Sequence, residues 1–547
     1  MKKLQIKFIA VFILIAMLLS LNLSNISSAA INSSSSNVKN VILLIPDGMS
    51  VSATTIARYM LNGNEDGSNK LVMDQYAMGL ITTTWAHGPI TDSAPAGTAY
   101  AIGHKSLNGS LGIDANKTPK ATILEAAQLE GKAVGLIATS EFMHATPAAF
   151  SSHEMKRSNY ATIAEQILNQ DIDVLLGTGA SKVDIKELDI LAIAKSNGFE
   201  IASNKTEMQK SNAKKLWGNF SSITGGTSNL SYDIDRKIDE EPSLSEMTEK
   251  AIDVLNKNKN GFFLMVEGSK IDWAAHANDT IGIISDVLAF DEAFKVALDF
   301  AKKDGNTIVI AVTDHGNSGI SIGSYDLIGY DSAPFSILSP LKGATKTAEG
   351  AMSLLKEDKS NISEVLKAYG INPDGYTPAD ITSKDRDTYN NAKVNDLITQ
   401  FKNDPTSSNL IKIMNQKAYI GYTTGGHTGE DVPVYIYAPK KVDKTPLIGV
   451  NENTDVAKFI ANAMNLDLEK ATQKLFVDVT NRTDAKLDGN VLTLNENGKT
   501  LVIKANQNIA KLNDKDISLN GEIAVLIDGK FYVPQSALDL FKKNTSK

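Results

Sequence analysis

Cysteine is absent from the 547 residues, which excludes disulfides, thiolate metal ligands, a lipid-bearing cysteine and thiol catalysis. Stability must come from packing, and any bound metal must be held by nitrogen and oxygen. Histidine is scarce, with seven in the chain, so each one beside an acid is informative. A basic excess is also missing: the formal net charge is −8 and becomes more negative once the N-terminal lysines are removed. That argues against generic nucleic-acid binding. After residue 30 no apolar run is long enough to span a bilayer. What is present is a 42% hydrophobic chain, long enough for a large core and more than one domain.

Residues 1–30 begin with Lys2, Lys3 and Lys7, run through apolar Phe8 to Leu19, and end in Ser28-Ala29-Ala30. This is the pattern of a secretory signal peptide, cleaved after Ala29 or Ala30. The mature chain is therefore expected outside the cytoplasm, without a transmembrane segment. Residues 31–37 are a Ser/Asn-rich flexible leader.

From residue 38 the chain alternates apolar runs with amphipathic stretches. Strands are expected at Val38–Ile45, Ala133–Ala138, Asp171–Leu176, Gly261–Val266, Thr307–Val312 and Val432–Ala438. Helices are expected at Ser52–Leu61, Pro119–Glu130, Tyr160–Asn169, Ser243–Asn256 and Thr454–Met464. This rhythm predicts an α/β fold with a central, mainly parallel sheet flanked by helices. A polar loop is expected between Leu61 and the Ser93 stretch, and Ser181–Pro242 reads as polar and irregular. Residues 317–425 read as a helical insertion placed to roof the site. The catalytic domain is expected to span 38–470, and short alternating strands with a last helix mark a small α+β module over 474–547.

Candidate chemistry collects at the ends of the apolar runs, where open α/β sheets bind ligands. Asp47 follows the first strand, Glu267 the fourth, and Asp314-His315 the fifth. Asp272 and His276, four apart, share a helical face and fit one metal. His427 lies in a glycine turn. Mixed N/O ligands suit Zn²⁺, whereas oxygen alone suits Mg²⁺. Ser93, behind Asp92 and ahead of small helix formers, should stand at a helix N-terminus, where backbone N–H groups favour an anion. Alone it would be an ordinary N-cap serine. With two metals it becomes a candidate nucleophile for phosphoryl transfer, and Arg157 supplies a fork for phosphate oxygens.

The ordered motifs Pro46-Asp47-Gly48-Met49, Thr91 to Ala99, His144-Ala145-Thr146-Pro147-Ala148-Ala149 with Arg157, Val266 to Asp272 with His276, Thr313 to Gly316 and Gly425 to Gly429 resemble the alkaline phosphatase family. The resemblance covers most of Val38 to about Leu466. It implies one zinc on Asp272, His276 and His427, and a second on Asp47, Asp314 and His315. A magnesium would bind Asp47, Thr146 and Glu267. It further implies that Asp92 orients Arg157, that Ser93 forms a phosphoserine, and that zinc-activated water hydrolyses it with overall retention at phosphorus. Substrates would be phosphate monoesters of broad specificity.

Two positions depart from enteric bacterial members. His144 stands in place of Asp, which favours Zn²⁺ or another divalent metal at the third site. Trp273 stands in place of Lys and removes a cation from the phosphate pocket, so weaker product binding is expected. A diesterase of the same superfamily, or an inactive surface-binding protein, is the alternative. His87, His104 and His153 read as surface or satisfied core groups. Val502–Leu512 and Gly529–Leu540 resemble the copper amine oxidase N-terminal-like domain, without a copper site. That module is read as a stalk or a cell-wall contact, and the whole as a possible homodimer.

Overall fold

A computed structural model describes residues 37–61, 67–179, 189–220, 229–377 and 385–545. The segment read as a signal peptide, and the leader up to residue 36, lie outside them. In chain order the strands of the larger part are β1 (Asn40–Ile45), β2 (Ala77–Thr82), β3 (Ala133–Glu141), β4 (Val174–Thr178), β5 (Glu200–Ala202), β6 (Leu216–Asn219) and β7 (Phe262–Glu267). They continue with β8 (Thr307–Val312), β9 (Gly316–Asn317), β10 (Ser321–Ile322), β11 (Ile420–Gly421), β12 (His427–Thr428), β13 (Val432–Tyr437) and β14 (Gly449–Glu452).

Ten of these build one sheet in the order β14-β2-β13-β8-β1-β7-β3-β4-β6-β5. Only β13 runs antiparallel to its neighbours, β8 and β2; the other pairings in this sheet are parallel. The central strands β1, β7 and β8 are buried along their whole length, which is why they read as continuous apolar runs. Alternate side chains enter opposite cores. Ile42, Leu44, Leu264, Val266, Val309 and Ala311 belong to one, and Val41, Leu43, Phe263, Met265, Ile308 and Ile310 to the other.

Helices Val51–Met60, Leu244–Leu255 and Thr280–Asp304 contribute to the first core, and Ser93–Ile102, Ile123–Leu129 and Asn453–Met464 to the second. Capping boxes at Thr122/Glu125 and Ser243/Glu246 satisfy orphan backbone donors at two of these helix starts. Register matters most at the centre. Leu44 pairs with Val266 on one side and Ala311 on the other, and Ile45 pairs with Glu267. All three strands therefore discharge at one edge, delivering Asp47, Glu267 and Asp314 together.

Three expectations are corrected. The described part of 181–242 is not irregular: it holds the helices Ile190–Ser196 and Lys205–Lys210, the edge strand β5 and its neighbour β6. Strands of three and four residues are too short to show a period. The stretch before Ser93, read as a polar loop, contains β2, whose pattern is only partly buried. Finally, the insertion is helical, with Ala348–Met352, Ile362–Ala368, Arg386–Asn403 and Ser407–Lys417, yet none of its described residues lines the cavity described below.

The C-terminal module is β-rich. Its strands are β15 (Val477–Asp478), β16 (Ala485–Asp488), β17 (Val491–Glu496), β18 (Lys499–Lys504), β19 (Ile509–Leu512), β20 (Lys515–Ser518), β21 (Val525–Ile527) and β22 (Lys530–Val533). β16 to β20 form a five-stranded antiparallel meander, β15, β22 and β21 a second sheet, and helix Gln535–Thr545 follows them. Leu492, Leu494, Ile503, Phe531 and Phe541 share a separate small core. Glu165 joins the module to the larger part by accepting from Asn506 Nδ2 at 3.1 Å and from Gln507 Nε2.

Phe263 is fully buried and stacks on Phe150 with centroids 5.9 Å apart. Phe263→Ala should lower unfolding free energy by about 3–5 kcal/mol. Leu80→Ala, on partly exposed β2, should cost under about 1 kcal/mol, since little apolar area is lost. Urea unfolding of the two variants checks both.

Candidate active site

Ser93 opens the wholly buried helix Ser93–Ile102, with Asp92 as its N-cap accepting from Ala94 N. The helix is built of small residues so that it can approach its neighbours closely. A Cβ on Gly97 would stand 3.2 Å from Ala149 Cβ and 3.6 Å from Thr146 Cα. Gly97 thus lets the Ser93 helix rest on the short helix Ala145–Ala149, which carries Thr146. Tyr100 Oη donates to Thr313 O at 2.7 Å, tying the same helix to the turn that carries Asp314 and His315. Ser93 Oγ lies 3.2 Å from His315 Nε2.

The predicted ligands fall into neighbouring groups. Ligand atoms of Asp47, Asp314 and His315 lie within 4.8 Å of one another, as do those of Asp47, His144 and Glu267 and those of Asp272, His315 and His427. His276 Nε2 stands 3.1 Å from His427 Nε2 and 3.4 Å from Asp272 Oδ2, and His427 Nε2 stands 3.6 Å from Asp272 Oδ1. Thr146 is buried, with Oγ1 unpaired. Arg157 Nη1 pairs closely with Asp92 Oδ1, and its Nη2 meets His144 Nε2 at 3.1 Å. Trp273 meets the His144 ring at 6.0 Å between centroids.

The histidines at the edge are oriented alike. His276 Nδ1 donates to Gly425 O at 2.8 Å, His427 Nδ1 to Thr91 O at 2.8 Å and His315 Nδ1 to Gly316 O at 3.2 Å. A backbone carbonyl on Nδ1 fixes the tautomer that leaves Nε2 free as a ligand. His153 is different. Its Nδ1 meets Gly112 O at 2.8 Å and its Nε2 meets Glu125 Oε1 at 3.0 Å, so both nitrogens are engaged structurally. His104 sits by Glu469 at 3.2 Å, and His87 lies edge-on to Trp85.

Buried acids at this density repel one another. Burial, then Asp314, Asp272 and Glu267, hold the Asp47 carboxyl well above the usual carboxylate range. Burial likewise pushes Asp314 up to about 6 and His315 down to about 3. Burial works against the Arg157 guanidinium, but Asp92 and Asp47 raise it above its ordinary value. Both Asp47 oxygens, Glu267 Oε1, Asp314 Oδ2, Thr146 Oγ1 and His144 Nδ1 are buried without a hydrogen-bond partner among the described residues. Each such orphan costs about 1–3 kcal/mol. A set of unpaired, converging oxygens and a nitrogen fits divalent cations, which relieve the repulsion and the missing bonds together.

Sequence reasoning did not single out the groups that hold these ligands. Asn317 Nδ2 donates to Asp272 Oδ1 at 2.7 Å, and Asn317 pairs with His427 between β9 and β12. Ser50 Oγ donates to Glu430 Oε1 at 2.9 Å and to Asn317 O at 3.1 Å. Gly48, at φ +67°, brings the Asp47 turn against Asp272; a Cβ there would lie 2.6 Å from Asp272 Oδ1. The usable signal was the polar composition right after two ligand motifs. A cavity of about 580 Å³ opens over the site, lined by Asp92, Ser93, His144, Arg157, Asp272, Trp273, His276 and His427 together with Ile90, Thr91 and Asn108.

Comparison with known proteins agrees with this geometry. The profile of the alkaline phosphatase family matches residues 38–466. Alkaline phosphatase 3 of Bacillus subtilis (strain 168) is 37% identical over 478 residues, 83% of this chain and 97% of that protein. The crystal structure of a cold-active alkaline phosphatase from the psychrophile Shewanella sp. superposes with a TM-score of 0.65 at 28% identity, covering 78% of this chain and 99% of that one. A histidine-to-aspartate variant of the alkaline phosphatase TAB5, described with Mg bound in its M3 site, superposes with a TM-score of 0.53 at 26% identity, covering 79% and 99%.

The metal-free protein should show the carboxylate repulsion as pH dependence. Raised folded values, as at Asp47 and Asp314, give stability at low pH that is lost as pH rises through them. The depressed His315 value acts oppositely, adding stability as pH rises towards about 6.5 and nothing beyond. Between about pH 4 and 6 the Asp314 loss and the His315 gain offset, and the Asp47 loss remains. Thermal unfolding of chelated protein should therefore show a Tm falling from about pH 4 to 6, and Asp47→Asn should flatten that fall.

Proposed function

The chain belongs to the alkaline phosphatase family, and from that premise we propose that it is a secreted, metal-dependent phosphomonoesterase working through a phosphoserine. The observation that carries this reading is Ser93 Oγ, buried at the start of its helix, 3.2 Å from His315 Nε2 and beside the Arg157–Asp92 pair.

Asp272, His276 and His427 would hold one Zn²⁺, and Asp47, Asp314 and His315 a second. Asp47, Thr146 and Glu267, with His144 adjacent, would hold Mg²⁺ or another divalent ion. When bound, these cations lower the pKa of the serine hydroxyl and of water and offset charge on the leaving oxygen. Ser93 Oγ attacks phosphorus, an Oγ–P bond forms, the ester P–O bond breaks, and the departing alcohol takes a proton. Water then attacks the phosphoserine, the Oγ–P bond breaks, and inorganic phosphate leaves. Two inversions amount to retention. The Arg157 fork binds two non-bridging oxygens, and Asp92 keeps it aimed. The dianionic charge of a monoester, one more than a diester carries, matches this cationic set.

The cavity recognises the phosphoryl group rather than the ester, which supports broad specificity. The same proposal includes a cleaved signal peptide over 1–30, a catalytic domain over 38–470 and assembly as a homodimer. It also includes a cell-wall or surface contact through 474–547, a module that resembles the copper amine oxidase N-terminal-like domain. No helix among the described residues is long and apolar enough to cross a membrane.

Hydrolysis of p-nitrophenyl phosphate should fall by about 10³-fold or more in Ser93→Ala, vanish on chelation and return with Zn²⁺ and Mg²⁺. Faster cleavage of bis(p-nitrophenyl) phosphate would move the reading to a diesterase, and no activity after repletion to a binding protein. Trp273→Lys should lower the inhibition constant for phosphate about three- to tenfold by restoring a cation at a partly exposed site. His144→Asp should shift activation from Zn²⁺ towards Mg²⁺ as a nitrogen ligand is replaced by oxygen, read by metal titration.

A further inference from the structure

Lys270 is a buried charge that the proposed reaction leaves without a task. It opens the helix Lys270–Ala277 and is 3% exposed. Its Nζ lies 4.1 Å from the centre of the Trp273 ring and 4.8 Å from that of Tyr232. The three-residue spacing places Lys270 and Trp273 on one helical face. Among the described residues no carboxylate stands at ion-pair distance from Nζ, although Glu349, Asp286, Glu141 and Glu241 all attract it. Lys270 does not line the cavity, whereas Trp273 does. The indole in turn meets His144, whose Nε2 touches Arg157.

We propose that Lys270 is a positioning residue for phosphate recognition, acting through Trp273. Its ammonium fixes the plane of the indole against the cavity and balances the acids behind that wall. The inference rests on the phosphatase reading, because it takes phosphate to be what Trp273 faces.

Two physical effects point the same way. An ammonium over an indole face is attracted by the ring quadrupole, most strongly where water is excluded, so the ring loses rotamer freedom. Lys270 also offsets part of the negative field of the acids that attract it, at the back of a wall facing a site for a dianion. A cation behind an aromatic wall thus supplies part of what a lysine inside the pocket would supply, without a direct contact. The helix that carries Trp273 also carries Asp272 and His276. The indole is therefore the group whose tilt Lys270 can set without moving the ligands' backbone.

The test compares Lys270→Met and Lys270→Arg in the metal-replete full chain. Lys270→Met should raise both KM for p-nitrophenyl phosphate and the inhibition constant for inorganic phosphate about five- to tenfold, the scale of a buried cation–π contact, while kcat changes less than about threefold. Lys270→Arg should restore both constants. Trp273 fluorescence, isolated in a background where Trp85 and Trp217 are Phe, should show lower anisotropy in the Met variant. Should Lys270→Met fail to fold, Lys270→Gln carries the same expectations.

Phosphate inhibition unchanged in a folded neutral variant overturns the proposal. So does a loss of kcat that Arg does not rescue, since that marks a merely structural lysine. Wild-type protein that neither hydrolyses the monoester nor is inhibited by phosphate overturns the phosphatase reading instead, so the two failures are distinct.

Discussion

Mutual repulsion of acids at one sheet edge is the constraint on which this structure depends. The parallel register of β1, β7 and β8 releases Asp47, Glu267 and Asp314 at the same level, and the two cores on either side keep all three at 0% exposure. Two like charges about 4 Å apart at an effective dielectric near 20 repel by about 4 kcal/mol. The carboxylates cannot relieve that by bonding one another, because each only accepts. Divalent cations do remove it. The fold is thus stable in the form that is also chemically competent.

The groups around the acids restrict where those cations can sit. Backbone carbonyls fix the tautomers of His276, His315 and His427. Asn317 fixes Asp272, and Gly48 lets the Asp47 turn close on it. Tyr100 fastens the Ser93 helix to the Asp314 turn through a phenol that burial pushes well above its ordinary value, so it remains a donor. Positioning of this kind is worth more than added contacts, since a misplacement of about 1 Å in a reacting group can cost about a hundredfold.

Much of this was legible because buried parallel strands announce themselves. The apolar runs NVILLI, FFLMVE and TIVIAV allow few other readings, and an acid at or just past the end of each one has little choice but the carboxyl edge. Ser93 was legible for a similar local reason, an acid cap before a run of small helix formers. What stayed hidden is what distance in sequence hides. Ser50 meets Glu430 across 380 positions, and nothing local in either residue forecasts the other. The short strands β5 and β6 escaped because three or four residues carry no period. The position of the insertion escaped too: its helices are locally patterned, but which face of the molecule they cover is decided by contacts such as Thr280 with Asn415.

Charge explains how an acidic protein takes an anionic substrate. The chain is formally −8, and without cations the cavity joins Arg157 to a cluster of acids, so a phosphate dianion would meet net repulsion. Filling the ligand groups reverses the local sign while leaving the surface acidic, and screening over about 8–10 Å at physiological salt separates the two fields. On the proposed reading, cations precede substrate, and phosphate affinity becomes a measure of metal occupancy. At the wall formed by Trp273 the charge nearest the ring is Lys270, set behind it rather than in the pocket. An ammonium at that remove attracts the dianion less than a lysine in contact would. Such a site trades product affinity for release, which suits an enzyme whose product carries the same recognised group as its substrate.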